Sequence, residues 1–406
     1  MSVGLKTPSD IASIEGVRLS SICASIYNNN RTDLTLIELS EGSSVSAVFT
    51  KNNFCAAPVK LAKQHLNKIT PRYLLINAGN ANAGTGEEGL VNASKTCKTV
   101  AESTGCLEYE VLPFSTGVIG EELPYNKIND AIPKLVNNLS KNSWLAAAEA
   151  IMTTDTIPKA VSKKISVDGT EISITGITKG AGMIRPDMAT MLAFIATDAS
   201  ITKKALDSIL VSAVNKSFNR ITIDGDTSTN DACVLLATGK AKAKFINDIE
   251  SQSYVLVKAG IIDVLSELAQ MIVRDGEGAS KFLTIEVNGG REEGECLAIA
   301  YKIAESPLVK TAFTASDPNW GRIIAAIGNV DINDLDITKV NIFIDTLCIV
   351  ENGKRASSYS EEAGKEVMIQ DDIKLTVQLN RGDYEETVWT TDLSHEYITI
   401  NAEYRT

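Results

Sequence analysis

Apolar positions along this chain follow two rhythms: short runs of five or six that read as strands, and longer stretches recurring every three or four residues that read as helices. Leu34–Leu39, residues 45–49 and residues 73–77 belong to the first kind, the last as a fully buried strand. Residues 90–103 and 144–152 belong to the second; Leu145, Ala148 and Met152 share one face, and Ser143 stands at the N-cap position. In residues 254–273, Ile261, Val264, Leu265, Leu268 and Ile272 recur at helical spacing among Lys258, Asp263 and Glu267, which predicts an amphipathic surface helix and not a membrane span.

The last third is richer in β-branched and aromatic residues. It predicts strands over 340–350, 373–379 and 387–391, with turns at Asn352-Gly353 and Arg381-Gly382-Asp383. The pattern suggests three parts: an N-terminal lobe over 1–198, a central α+β segment over 199–282 and a strand-rich α+β lobe over 283–406. No solenoid-period repeat or low-complexity linker marks the joins.

Composition narrows the function more than the fold. The 406 residues, 44% of them hydrophobic, suffice for substantial cores. A net charge of −12 argues against nucleic-acid or anionic-membrane partners, which need a basic face. The opening residues lack the apolar core of a secretion signal, so a cytoplasmic location is expected. The seven cysteines form no C-x-x-C pair and read as reduced, mostly structural thiols.

Two short motifs are declined. Gly84-Thr-Gly86-Glu-Glu-Gly89 has dinucleotide-fingerprint spacing, but Glu87 and Glu88 would repel a pyrophosphate and suit the start of a helix instead. Asp224-Gly-Asp226-Thr-Ser228 starts like a calcium loop, yet Thr229 replaces the needed glycine and Leu235 the needed glutamate, so no metal is expected.

The junction that carries chemistry is Lys179-Gly-Ala-Gly-Met-Ile-Arg-Pro-Asp-Met-Ala-Thr190-Met-Leu, where a loop containing glycine and proline gives way to the apolar run 191–196. A threonine hydroxyl needs a base, and the only histidines are His65 and His395. Cutting the Ala189–Thr190 bond would create one: a free α-amine with a pKa of about 7.7–8.0 beside the hydroxyl. The same hydroxyl can make the cut by attacking the Ala189 carbonyl, passing through an ester that water resolves. By composition alone, a strand that simply begins Ala189-Thr-Met-Leu192, with no cleavage, is the better account of these residues.

This segment resembles the signature of the ornithine acetyltransferase family, also called glutamate N-acetyltransferases, self-processing enzymes of arginine biosynthesis whose pattern reads close to K-G-[SA]-G-M-I-x-P-[ND]-M-A-T-M-L. Asn77 to Gly86, Ser115-Thr-Gly-Val-Ile-Gly120, Asp224 to Asp231, Asp275 to Lys281, Asp317-Pro-Asn-Trp-Gly-Arg322 and Ile400 to Thr406 resemble the family in the same order. Gly84, Arg185 and Asp187 depart from its commonest residues. The resemblance implies an α/β (α+β) fold in which sheets pack between helix layers, similar to self-processing aminopeptidases, with an α+β C-terminal lobe. It also implies cleavage at Ala189/Thr190 into chains 1–189 and 190–406, assembled two of each as a heterotetramer.

The implied activity is a ping-pong acetyltransferase that moves acetyl from N-acetylornithine to glutamate through acetyl-Thr190. No cofactor is implied; acetyl-CoA serves some family members as a donor. The resemblance points to Thr116 and Gly117 as the oxyanion hole, and to Thr153, Lys179, Thr190, Glu277, Asn401 and Thr406 as substrate-binding positions. Lys179 suits an α-carboxylate and Glu277 an ammonium or amide N–H, with the partner of each left open. Residue type alone also allows Lys179 and Glu277 as solvated surface charges, Thr153 as a helix-end cap and Asn401 as a turn residue. Two rival functions stay open at this point: a self-processed aminopeptidase or amidase, and a non-catalytic α/β binding protein.

Overall fold

The computed structural model describes residues 2–27, 30–185 and 191–403. The chain divides into two compact units, one formed by Lys6–Asn219 with Asp226–Ile272, the other by Met1–Leu5, Arg220–Gly225 and Val273–Thr406.

The larger unit holds two sheets. In the first, β1 (Val17–Ile22), β2 (Leu34–Leu39), β4 (Tyr73–Asn80) and β5 (Val111–Val118) lie in the order β1-β2-β4-β5, with only the β4–β5 pair parallel. The second runs β3-β10-β8-β7-β6, from β3 (Ser44–Phe49), β10 (Ala232–Ala237), β8 (Leu192–Thr197), β7 (Thr170–Lys179) and β6 (Lys159–Val167). Side chains alternate across each strand, so Leu74 and Ile76 of β4 join Leu192, Phe194, Val234 and Leu236 in one core between the sheets. Phe114 and Phe194 meet there edge to face, with centroids 5.1 Å apart.

Leu34, Leu36, Tyr73 and Leu75 point the other way, into a core with Leu61, Cys97, Val100, Ile128 and Ile132 from helices Ala57–Leu66, Gly86–Thr104 and Tyr125–Asn137. The second sheet is covered by helices Lys203–Asn215 and Gln252–Arg274. Glycines on both sides let the latter helix approach: a β-carbon on Gly176 of β7 would stand 2.8 Å from Leu268 Cδ1, and one on Gly260 would stand 2.9 Å from Ile174 Cδ1. The unit is therefore a helix–sheet–sheet–helix sandwich, the layering expected from sequence.

The smaller unit is an α+β lobe around a seven-stranded sheet ordered β14-β13-β12-β15-β11-β16-β9. Its strands are β9 (Ile221–Thr222), β11 (Phe282–Gly290), β12 (Asn341–Ile344), β13 (Leu347–Glu351), β14 (Lys354–Arg355), β15 (Asp372–Gln378) and β16 (Tyr384–Thr391). Helices Glu293–Ala304, Pro307–Thr314 and Trp320–Gly328 bury Ile299, Ile303, Phe313 and Ile323 against Ile285, Val287, Ile342 and Leu375.

Most predicted elements match. Helix Gln252–Arg274 buries Ile261, Val264, Leu265, Leu268 and Ile272 completely. Asn352 and Gly353 both take positive φ between β13 and β14, as the hairpin turn requires. Three details differ. Residues 340–350 form not one strand but the hairpin β12–β13, because Asp345 turns the chain at φ +50. The helix at Trp144 ends at Ala150, before Met152. Ser143 is its N-cap by position, but with ψ at +20° instead of extended its hydroxyl makes no capping bond.

Candidate active site

The connection between β7 and β8 is the segment in which sequence places the nucleophile. Lys179 ends β7 and pairs with Leu192, which opens β8, so the intervening loop leaves and re-enters the second sheet at adjacent positions. On the return side, Thr178 Oγ1 donates to the Leu192 carbonyl at 3.0 Å, and the Ala232 N–H donates to the Met191 carbonyl at 2.9 Å. Ala189, Thr190 and Asp187 lie outside the described residues, as does Thr406. Among the described residues neither histidine shows a triad arrangement; His65 is a buried strut whose Nδ1 lies 2.7 Å from the Val111 carbonyl, and burial pushes its pKa down.

Thr116 and Gly117 sit near the end of β5, and Thr116 is buried. Gly117 adopts φ +133 alongside Gly79 of β4, a backbone approach that only glycine allows. Asparagines hold this strand end. Ser115 Oγ donates to Asn77 Oδ1 at 2.6 Å, and Asn77 Nδ2 donates to the Asn80 carbonyl at 2.8 Å. Asn230 Nδ2 reaches the carbonyls of Ala81 at 2.6 Å and Ser115 at 2.9 Å, while Thr229 Oγ1 donates to Asn230 Oδ1 at 2.6 Å. A preorganised pair of donors, which an oxyanion hole requires, needs such a rigid backbone.

Lys179 is only 9% exposed, so it is no solvated surface charge. Thr153 lies past the C-cap Ile151, in a turn and not at a cap. Its N–H donates to Asp155 Oδ2 at 3.0 Å, and its carbonyl accepts from Arg31 Nη1 at 3.2 Å. Asp155 Oδ1 also accepts from Lys159 Nζ at 2.6 Å and from the Gly180 N–H at 2.8 Å. Burial alone would push the Asp155 carboxyl up, but the Lys159 and Lys179 charges and the Gly180 N–H hold it well below the usual range.

Asp231 behaves oppositely. It precedes β10 and is 3% exposed; burial pushes its carboxyl well above the usual range, against the pull of Ser228 hydrogen bonds and the Lys179 charge. Among the described residues its Oδ2 has no hydrogen-bond partner. It lines a cavity of about 280 Å³ with Thr50, Asn52, Arg185 and Thr227.

Glu277 and Asn401 belong to the smaller unit. Glu277 is 8% exposed, and its Oε2 accepts from Asn401 Nδ2 at 2.8 Å. Asn401 lies not in a turn but on helix His395–Ala402, where its amide also donates to the Tyr397 carbonyl at 2.9 Å. Tyr397 in turn donates to Asp224 Oδ2 at 3.1 Å. Glu277 and Asn401 thus come together directly. Within the larger unit, Asp155 accepts from the Thr153 N–H and lies in the field of the Lys179 charge.

Sequence reasoning passed over Asp155, Lys159 and Asp231. The available signal was Lys159 directly before Ala160-Val161 and four residues after Asp155, since a charge beside apolar residues needs a partner. Among the described residues, no three His, Cys, Asp or Glu side chains gather as a metal site would require.

A profile of the ArgJ family matches residues 18–406. Over all 406 residues the chain is 52% identical to the arginine biosynthesis bifunctional protein ArgJ of Pseudomonas fluorescens and 53% identical to that of Pseudomonas syringae pv. tomato, covering 100% of each chain in both comparisons. A crystal structure of the corresponding Bacillus halodurans protein is 36% identical over 52% of this chain and 98% of its own, with a TM-score of 0.48.

Proposed function

Because the chain belongs to the ArgJ family, we propose that it is the acetyltransferase of arginine biosynthesis that carries acetyl from N-acetylornithine to glutamate. The full-length match to arginine-biosynthesis relatives at about half identity carries this reading.

The Thr190 hydroxyl attacks the Ala189 carbonyl, the peptide becomes an ester, and water releases chains 1–189 and 190–406. The freed α-amine of Thr190 then takes the hydroxyl proton. The Thr190 oxygen attacks the acetyl carbonyl of N-acetylornithine, and the oxyanion is met by Thr116 and Gly117. The C–N bond breaks, ornithine leaves with the proton, and the amine of glutamate attacks acetyl-Thr190 to give N-acetylglutamate. Lys179, Thr153, Glu277, Asn401 and Thr406 bind the amino-acid parts. Burial of Lys179 and Glu277 supports these roles, since charges in little water bind opposite charges more strongly. The enzyme works in the cytoplasm as a heterotetramer of two chains of each kind. It uses no cofactor and has no nucleic-acid or membrane partner; an assay with acetyl-CoA and glutamate alone decides whether acetyl-CoA is a second donor.

Intact mass and N-terminal sequencing of wild type beside Thr190→Ala test the reading, followed by product analysis with labelled N-acetylornithine. A fragment beginning at Thr190 in wild type only, and label passing to glutamate, are expected. Label released as acetate despite saturating glutamate would make the protein an amidase. An intact wild-type chain would remove the proposed base.

A further inference from the structure

A fully enclosed carboxylate near the β7–β8 connection has no role in the scheme above. Asp155 has a side chain with no exposure, as does Lys159, and the two form an ion pair at 2.6 Å. An isolated pair of this kind is weak evidence for stability, because the cost of removing both charges from water offsets their attraction. Here the carboxylate does more than balance Lys159. Its two oxygens also accept the N–H groups of Gly180 and Thr153, at 2.8 and 3.0 Å. Gly180 is the first residue of the loop after Lys179, and Thr153 is a proposed substrate-binding position. The turn is braced from its other side by Arg31, whose Nη2 and Nη1 donate to the carbonyls of Met152 and Thr153 at 2.8 and 3.2 Å. One buried anion therefore ties the backbone where the cleavage loop begins to the turn that carries Thr153, and the Lys179 charge acts on the same anion.

We propose that Asp155 is a positioning residue, which sets the start of the cleavage loop and the placement of Thr153 and Lys179, so that both self-cleavage and substrate affinity depend on its carboxylate. The inference rests on the function proposed above. Asp155 touches no reacting atom in this scheme. It acts through the Gly180 and Thr153 N–H groups and through the field it places beside Lys179. Self-cleavage needs the backbone held in a reactive geometry, and a loop anchored by a charged acceptor is held more tightly than one anchored by a neutral amide.

The test compares wild type, Lys159→Met, Asp155→Asn and the double variant Asp155→Asn/Lys159→Met. Removing Asp155 alone takes from buried Lys159 the carboxylate 2.6 Å away, so the double variant serves if the single one does not fold. Cleavage is followed by intact mass, folding by thermal melting, and the cleaved forms by steady-state kinetics with N-acetylornithine and glutamate. The expected result is a folded double variant that cleaves about tenfold or more slowly and, once cleaved, has KM for N-acetylornithine raised about tenfold with kcat nearly unchanged. Lys159→Met leaves Asp155 the Lys179 charge and the Gly180 and Thr153 N–H donors, so it should stay close to wild type in both values. Wild-type cleavage and KM in the double variant would overturn the proposal. So would a double variant that does not fold, which would leave Asp155 a structural role only. If wild type neither cleaves nor transfers acetyl, the functional reading fails and not this inference alone.

Discussion

Gly117 lies so close to Gly79 that a β-carbon on Gly117 would fall 2.3 Å from the Gly79 carbonyl carbon and 2.5 Å from the Asn80 nitrogen. Both atoms belong to backbone, which cannot swing away as a side chain would. Gly117→Ala must therefore displace β5 at the point where its N–H is proposed to face the oxyanion. Loss of one such donor costs about 10²–10³ in kcat. Steady-state kinetics of Gly117→Ala should show a fall of that order, and a variant within threefold of wild type would remove Gly117 from the oxyanion hole.

The Glu277–Asn401 hydrogen bond fixes the direction of a buried carboxylate. If Glu277 receives the ammonium or amide of the substrate, Glu277→Gln should lower kcat/KM for N-acetylornithine by about ten- to a hundredfold, as expected for one charged hydrogen bond. Asn401→Ala should do less, since it removes one neutral contact to the substrate and loosens Glu277 without removing its charge. Equal losses in the two variants would argue that the bond itself, not the charge, is what matters.

Asp231 supplies a dependence on pH. Its folded pKa is raised by burial, so its stabilisation is fully present below the ordinary carboxyl pKa of about 3.9 and is lost as pH rises through the folded value. Asp231→Asn is neutral at every pH and should therefore gain on wild type as pH increases. Melting temperatures measured at about pH 5 and about pH 8 should show a larger advantage for the variant at the higher pH. An advantage that does not grow with pH would mean the carboxyl is held ionised.

Phe194 and Phe114 bind the two sheets of the larger unit across their shared core. Truncating Phe194 to alanine should cost about 3–5 kcal/mol, because both faces of the gap belong to ordered strands that cannot close it. Denaturant unfolding would register the loss as a lower midpoint. A change below about 1 kcal/mol would mean the sheets repack freely.

The layers of this fold were legible because each element carries its own periodicity. Leu34–Leu39 and the 254–273 stripe need no distant partner to announce a strand and a helix. Local reading failed where a single residue redirects the chain. Asp345 in its left-handed turn splits one apolar run into two strands, and an aspartate in sequence gives no sign of which conformation it takes. Lys179 and Glu277 have the residue type of surface charges, and the structure buries each within its own unit.

By itself the sequence determined the alternation of strands and helices, the apolar strand Leu192–Thr197, and the family, since these reside in local patterns and in motifs spread along nearly the whole chain. Only the tertiary structure decided that Gly117 must be glycine, that Asp155 joins Gly180 to Thr153, and that Asp231 is buried with an oxygen lacking a partner among the described residues. Each depends on burial and on atoms brought together across the fold: Gly79 stands 38 positions from its partner in β5, and Gly180 stands 25 positions from Asp155. A side chain's type records its charge and size. Its desolvation and its partners are set by packing, and those decide what the charge can do.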